Sequence, residues 1–114
     1  MISLQEFISN ENDYTIRLRK KDLPEEDRNM AFFLQFDGNS YTWILLTLKR
    51  VPHLRKLSKD ERKNLLSNRW RLVDEVKFKT FLEAKLRLIE MANALISKGY
   101  KITNMSTLFD LSPW

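Results

Sequence analysis

The sequence contains no cysteine and only one histidine, two glycines and three prolines among its 114 residues. Without cysteine, disulfides and thiolate metal sites are excluded, which agrees with a reducing cytosol. Little glycine and proline argues against a disordered or fibrous chain, and a hydrophobic content of 43% is sufficient for a packed core. The composition therefore predicts a globular protein whose stability comes from packing.

Long apolar runs are also missing. Runs such as Trp43–Leu46 are far shorter than a membrane span, and residues 1–10 have neither the basic start nor the apolar stretch of a signal peptide. A length of 114 residues suits one domain. We therefore predict a single cytoplasmic domain over residues 1–114 without membrane contact, and residues 104–114 form a tail that is either flexible or docked onto it.

Three capping boxes mark the predicted helix starts. In each, a Ser or Thr hydroxyl can accept a hydrogen bond from the third helical N–H while a glutamate reaches back. The predicted helices run from Ser3 to about Asn10, from Ser58 to about Asn68 and from Thr80 to Lys98, with Gly99 as the C′ residue of the last one. The longest helix should cover the core with a wide apolar face: Phe81, Leu82, Leu86, Leu88, Ile89, Ala92, Leu95 and Ile96.

The stretch from Gln35 to Leu46 predicts a β-hairpin. Apolar residues alternate on both arms, and Asp37-Gly38-Asn39 supplies the positive-φ residues of a two-residue turn. The doubly apolar run Trp43–Leu46 is typical of a central strand that is covered on both faces. The other strand candidates are Tyr14–Lys20 and Trp70–Phe78.

These elements predict an α+β fold. An antiparallel sheet of three to four strands, in the chain order α-β-β-β-α-β-α, would carry its helices mainly on one face. Residues 22–29 and 51–57 are the linker candidates, and the pattern leaves open whether residues 100–103 add a further strand.

Positive charge is concentrated in one segment. Residues Lys49–Arg71 contain nine basic and two acidic residues, so their net charge of +7 exceeds the +5 of the whole chain. Such a cluster attracts phosphate backbones or acidic protein surfaces, although it can also simply keep a small domain soluble. As a nucleic-acid site, it would use Trp70 or Tyr41 for base stacking and the following residues for phosphates: Arg50, Arg55, Lys56, Arg62, Lys63, Arg69 and Arg71.

Few catalytic chemistries are compatible with this inventory of residues. The chain has no glycine-rich phosphate loop, and His53 is its single histidine. Glu75-Val76-Lys77 has the acid-x-lysine spacing of magnesium-dependent nucleases, but the upstream aspartate in a Pro-Asp context is missing. We therefore predict a protein that is not an enzyme, with no catalytic residues, no metal site and no cofactor.

Two motifs in the N-terminal part carry a family resemblance. They are Asp13-Tyr14-Thr15-Ile16-Arg17-Leu18 and Asp37-Gly38-Asn39-Ser40-Tyr41, and they follow a short amphipathic helix. Over about forty residues, the chain resembles the small anti-CRISPR proteins of type II-A systems, the Listeria-prophage kind. That family is strongly acidic, whereas this chain carries +5, and the segment Lys49–Arg71 has no family counterpart.

The resemblance implies a catalytically inert phage or mobile-element protein that acts in the bacterial cytoplasm. Its partner would be an RNA-guided DNA nuclease or its ribonucleoprotein, bound where the nuclease reads its short duplex motif. The contact edge implied by the resemblance consists of Asp13, Asp37, Gly38, Asn39 and Tyr41. The alternative hypothesis is a basic nucleic-acid-binding domain that uses the Lys49–Arg71 segment on single- or double-stranded DNA or RNA.

Overall fold

A computed structural model describes residues 3–51, 59, 65–67 and 70–107 of the protein. Within these residues the helices are Leu4–Phe7 (α1), Glu25–Arg28 (α2) and Phe81–Ser97 (α3). The six strands form one antiparallel sheet, and they are Tyr14–Arg19 (β1), Asn29–Asp37 (β2), Thr42–Arg50 (β3), Leu65–Ser67 (β4), Trp70–Phe78 (β5) and Lys101–Ser106 (β6). Their spatial order is β4-β5-β3-β2-β1-β6.

The predicted α+β class with an antiparallel sheet is confirmed, but the predicted number and order of elements are wrong. The predicted linker at residues 22–29 contains α2. Of the helix predicted from Ser58 to about Asn68, Lys59 is described and is helical, whereas Leu65–Ser67 form strand β4 instead. Because β4 pairs with β5, tertiary pairing at this position outweighs the local helix signal.

Strand β6 is an element that the sequence prediction leaves open. It runs antiparallel to β1 at the edge of the sheet and includes residues 104–106, so the predicted tail does not begin at Asn104. Ile102 and Met105 pack against the main core, which explains why this polar-looking segment joins the sheet. Residues 108–114 lie outside the described residues.

The central position predicted for Trp43–Leu46 is confirmed, since β3 lies between β2 and β5. Trp43 and Leu45 belong to the core on the face that α1 and α3 cover, which we call the helical face. Neighbouring residues of β3 point to the other side of the sheet, which we call the opposite face. The opposite-face cluster consists of Ala31, Phe33, Ile44, Leu46, Leu48 and Trp70.

Helix α3 begins and ends as the sequence predicts. Thr80 is the N-cap, and its Oγ1 accepts a hydrogen bond from the Glu83 N–H at 3.2 Å. At the other end, the N–H of Gly99 donates to the Ile96 carbonyl and the N–H of Tyr100 donates to the Leu95 carbonyl. This pair of bonds is the Schellman motif, and Gly99 has the positive φ of 102° that it requires.

The apolar face predicted for α3 is too wide. Leu82, Leu86 and Ile96 are 61%, 53% and 39% exposed, so they lie away from the core. Ala84, which the prediction did not include, is fully buried, as is the predicted Ala92. Small side chains let the helix axis approach the sheet closely, and the contact stripe is therefore narrower than the hydrophobic pattern. The buried residues of α3 are Phe81, Ala84, Leu88, Ile89 and Ala92.

The hairpin between β2 and β3 is confirmed, but its predicted two-residue turn is wrong. Asp37 pairs with Thr42, which leaves a loop of residues 38–41. The positive-φ residue is Tyr41, at 53°, and not Gly38. Longer hairpin loops are built around ordinary turn conformations, so the change of direction here does not depend on a left-handed glycine.

The two glycines are therefore expected to respond differently to alanine. Gly99→Ala should lower the free energy of unfolding by about 1–3 kcal/mol, since an L-residue is strained at positive φ. The new Cβ would also lie 3.2 Å from Lys20 Cε. The matched control, Gly38→Ala, should change stability by no more than about 0.5 kcal/mol, because its Cβ would meet only Phe36, at 3.9 Å. Denaturant titration checks both values. Equal losses in the free energy of unfolding would contradict the assignment of the strained backbone position to Gly99 and not to Gly38.

Candidate functional site

The loop end of the β2–β3 hairpin brings the predicted partner-binding residues together. Asp13 directly precedes β1, and its Oδ1 atom accepts a hydrogen bond from the Phe36 backbone N–H at 3.2 Å. The loop at residues 38–41 begins two residues after Phe36. Pairing of β1 with β2 thus places at one end of the sheet all five residues of the predicted contact edge: Asp13, Asp37, Gly38, Asn39 and Tyr41.

An open pocket of about 350 Å³ lies beside this loop. Its lining residues are Glu11, Asn12, Asp13, Phe36 and Trp43, of which the sequence prediction of the site included only Asp13. Among the missed residues, Glu11 has a signal in the sequence because it is an acid just before a strand, whereas Phe36 and Trp43 come together only as cross-strand partners. We define the hairpin-end surface as residues 11–13, 36–41 and 43.

Aromatic rings form an exposed row on the hairpin-end surface. Tyr41 is 78% exposed and Phe36 is 45% exposed, whereas Trp43 is largely buried. The Phe36 ring centroid lies 6.5 Å from that of Tyr41 and 5.1 Å from that of Trp43. Trp43 packs in turn against Phe81 of α3, with centroids 4.9 Å apart. The exposed rings therefore pack, through Trp43, against the core.

The carboxylate of Asp37 is held in its charged form. The Ser40 hydroxyl donates a hydrogen bond to Asp37 Oδ2 at 2.8 Å, and this bond contributes most to lowering the pKa of Asp37. The Asn39 N–H donates to Oδ1 at 3.0 Å, and the positive charge of Lys77 lowers the pKa further. Asp37 therefore has two roles, since it orders the loop and adds a negative charge to the hairpin-end surface.

Most of the predicted basic site falls outside the part of the chain that the structure describes. The residues of the predicted site that lie outside it are Arg55, Lys56, Arg62, Lys63 and Arg69. Arg50 and Arg71 are described, and both are half-buried. Both described arginines lie at the far end of the sheet from the hairpin loop, where β3 ends and β5 begins.

Two described residues of the basic segment already have intramolecular roles. Lys49 Nζ forms an ion pair at 2.7 Å with Oδ1 of Asp27, which belongs to α2. The Tyr100 hydroxyl donates to the Asp27 carbonyl at 2.7 Å, and burial together with the Asp27 carboxylate raises the pKa of Tyr100. Trp70 is fully buried, so the prediction that it stacks on bases is wrong. Its ring instead lies under Arg17, with Cζ 5.3 Å from the ring centroid.

The described residues offer few groups for catalysis. Glu75 and Lys77 are both exposed on β5. Among the described residues, no three or more His, Cys, Asp or Glu side chains are grouped so that they could hold a metal ion. The hairpin-end surface instead presents exposed rings and hydrogen-bonded carboxylates.

Comparisons with protein-family models, with curated proteins and with solved structures found no match to this chain. Within the described residues, no helix has both the length and the apolar character needed to cross a membrane.

Proposed function

We propose that this protein is a non-enzymatic binding protein that uses the hairpin-end surface to dock onto a basic surface of a protein partner. The observation that carries the proposal is that the hairpin-end surface combines the exposed Phe36–Tyr41 ring pair, the charged Asp37 and the acid-lined pocket. Exposed aromatic residues of this kind are enriched in the energetic centres of interfaces. Carboxylates around them favour arginine and lysine on the partner.

The family resemblance specifies the partner in this proposal. The protein would be an anti-CRISPR-like inhibitor of a type II RNA-guided DNA nuclease, encoded by a phage or other mobile element and acting in the bacterial cytoplasm. Such nucleases read a short duplex motif with arginines, and a rigid acidic loop can occupy the same groove. Occupation of that groove would block DNA engagement without any catalytic step or cofactor.

A nucleic-acid-binding domain is the second candidate. The register of β3 and β5 supports it, because Lys49 and Arg71 are cross-strand partners and Arg50 is the next residue of the same strand. These residues lie at the opposite end of the sheet from the hairpin-end surface. The two candidates can therefore be separated by substitutions at the two ends.

The deciding experiment measures DNA cleavage by a type II nuclease, assembled with its guide RNA, in the presence of excess protein. Glu11→Lys with Tyr41→Ala removes one exposed acid and one exposed ring from the hairpin-end surface. We expect inhibition to weaken at least about tenfold, as for loss of an interface hot spot. The matched control is Glu75→Lys with Val73→Ala, which makes the same kinds of change at exposed positions of β5 and should inhibit like the wild type.

A third variant tests the second candidate. Replacing Arg55, Lys56, Arg62 and Lys63 with Gln should leave inhibition intact if the hairpin-end surface is the site. If the basic segment binds phosphates, the same variant should lose affinity for all oligonucleotides, and its salt slope should fall by roughly one unit per contact. Full inhibition by the hairpin-end variant, or no inhibition of type II nucleases by the wild type, would refute the proposal.

A further inference from the structure

A second pocket lies at the end of the sheet opposite to the hairpin loop. Its volume is about 390 Å³, which is within the range of small-ligand sites. Four basic residues contribute to its wall, and Asp22 is the one acid among the lining residues. These residues come from distant parts of the chain. Arg19 is the last residue of β1, and Lys20 and Lys21 come directly after it, whereas Lys101 and Thr103 belong to β6.

The sheet register brings like charges together in this pocket. Arg19 and Lys101 are direct cross-strand partners in the β1–β6 pair. Like charges at directly opposed positions destabilise a sheet, so packing does not explain this pair. Neither residue, nor Lys21, forms an ion pair with the described part of the chain. An anion bound between them would compensate the repulsion.

Lys20 differs from the other three basic residues, because its ammonium group is bound within the protein. Its Nζ donates a hydrogen bond to the Lys98 carbonyl at 2.7 Å, at the C-terminus of α3. Gly99 leaves space for this side chain, since a Cβ there would lie 3.2 Å from Lys20 Cε. The ammonium group of Lys20 is thus partly neutralised by the helix end. The cationic groups that can bind a ligand are therefore the guanidinium of Arg19 and the ammonium groups of Lys21 and Lys101.

We infer that this pocket binds a phosphate group, carried either by a free nucleotide or by the backbone of a nucleic acid. A guanidinium can hold two phosphate oxygens at once, and the two lysines add point charges around the same anion. A carboxylate ligand would neutralise only one of these three cations, whereas a phosphate diester chain or a polyphosphate offers several negative charges. This site lies outside both the hairpin-end surface and the Lys49–Arg71 segment, and it does not depend on the proposed function.

Calorimetric titration of the full-length protein tests the inference with two probes. The first is pyrophosphate, and the second is a short single-stranded oligonucleotide without a terminal phosphate. The test variant is Arg19→Gln with Lys101→Gln. The control variant, Lys79→Gln with Lys85→Gln, removes the same charge near the start of α3, outside the lining of the pocket. Far-ultraviolet circular dichroism and the melting temperature confirm that both variants are folded.

We expect the wild type and the control to bind at least one probe with one-to-one stoichiometry, and the test variant to lose at least about tenfold in affinity. Stronger binding of pyrophosphate identifies a nucleotide site, whereas stronger binding of the oligonucleotide identifies a nucleic-acid backbone site. The inference is overturned if the wild type binds neither probe. It is also overturned if the control loses as much affinity as the test variant, because binding would then depend on total charge.

Discussion

Leu88→Ala is expected to lower the free energy of unfolding by about 2–5 kcal/mol, which is a large part of the stability of a small domain. Leu88 is fully buried on α3, and it belongs to the helical-face core together with residues of β1, β2 and β3. Truncation removes three buried carbon atoms and leaves a cavity that the rigid sheet beneath it can fill only in part. Denaturant titration with a fluorescence readout measures the loss.

The matched control for this prediction lies two residues earlier on the same helix. Leu86 is 53% exposed, so Leu86→Ala should change stability by no more than about 0.5 kcal/mol. Both substitutions exchange the same residue types in the middle of α3, and their effects on helix propensity therefore cancel in the comparison. Similar losses at the two positions would mean that α3 contacts the sheet through a different stripe.

This pair of leucines also illustrates what the sequence can and cannot predict. The N-caps at Ser3 and Thr80 are visible in the sequence because they use local hydrogen bonds, and in both the hydroxyl accepts a bond from the N–H of the glutamate three residues later. The bounds predicted for the strand Trp70–Phe78 are confirmed as well. The side of α3 that contacts the sheet depends on small residues such as Ala84, which hydrophobic periodicity alone does not weigh.

The candidate site shows the same division between local and tertiary information. Asp13 and the hairpin loop were predicted as one contact edge, and the bond from Phe36 N–H to Asp13 now joins them. The turn conformation was wrong, because Asp-Gly-Asn favours a two-residue turn while the register of β2 and β3 imposes a longer loop. Glu11 and Trp43 become neighbours only through strand pairing, so the pocket could not be predicted from either segment.

The basic pocket was missed for a related reason. The run Arg19-Lys20-Lys21 is visible in the sequence, but its charge is balanced within the N-terminal part by several acids, including Asp22. Net charge per segment therefore points elsewhere, to Lys49–Arg71. Only the pairing of β6 with β1 adds Lys101 to this run, and the sequence left β6 open. Charge clusters that form across a sheet register are not contained in a linear count.

The opposite face of the sheet gives the second large prediction, because it contains a buried tryptophan beside a buried arginine. Trp70 is fully buried and Arg17 is 4% exposed. Ala31, the cross-strand partner of Arg17, is also part of this cluster, and its small side chain leaves room for the arginine to reach the tryptophan ring. A desolvated cation over an indole face contributes about 2 kcal/mol. Trp70 therefore supports both the apolar cluster and the arginine.

Trp70→Ala is expected to lower the free energy of unfolding by about 3–5 kcal/mol, as for truncation of other buried aromatic residues. Trp70→Phe should cost less, because it keeps a ring beneath Arg17 and removes an indole N–H that has no acceptor among the described residues. The matched surface control is Tyr41→Ala, which should cost no more than about 0.5–1 kcal/mol at a position 78% exposed. Chemical denaturation of the three variants gives these values.

Oligonucleotide binding by the two Trp70 variants checks independently that Trp70 is a core residue and does not stack on bases. A tryptophan that stacks on bases would lose oligonucleotide affinity on substitution by Ala while stability stays nearly constant, because base stacking contributes about 1–3 kcal/mol to binding alone. If Trp70 is a core residue, Trp70→Ala instead lowers the free energy of unfolding of the protein. Trp70→Phe then binds oligonucleotides like the wild type. We expect the second result. A Trp70→Ala protein that unfolds at the same denaturant concentration as the wild type would contradict the opposite-face core.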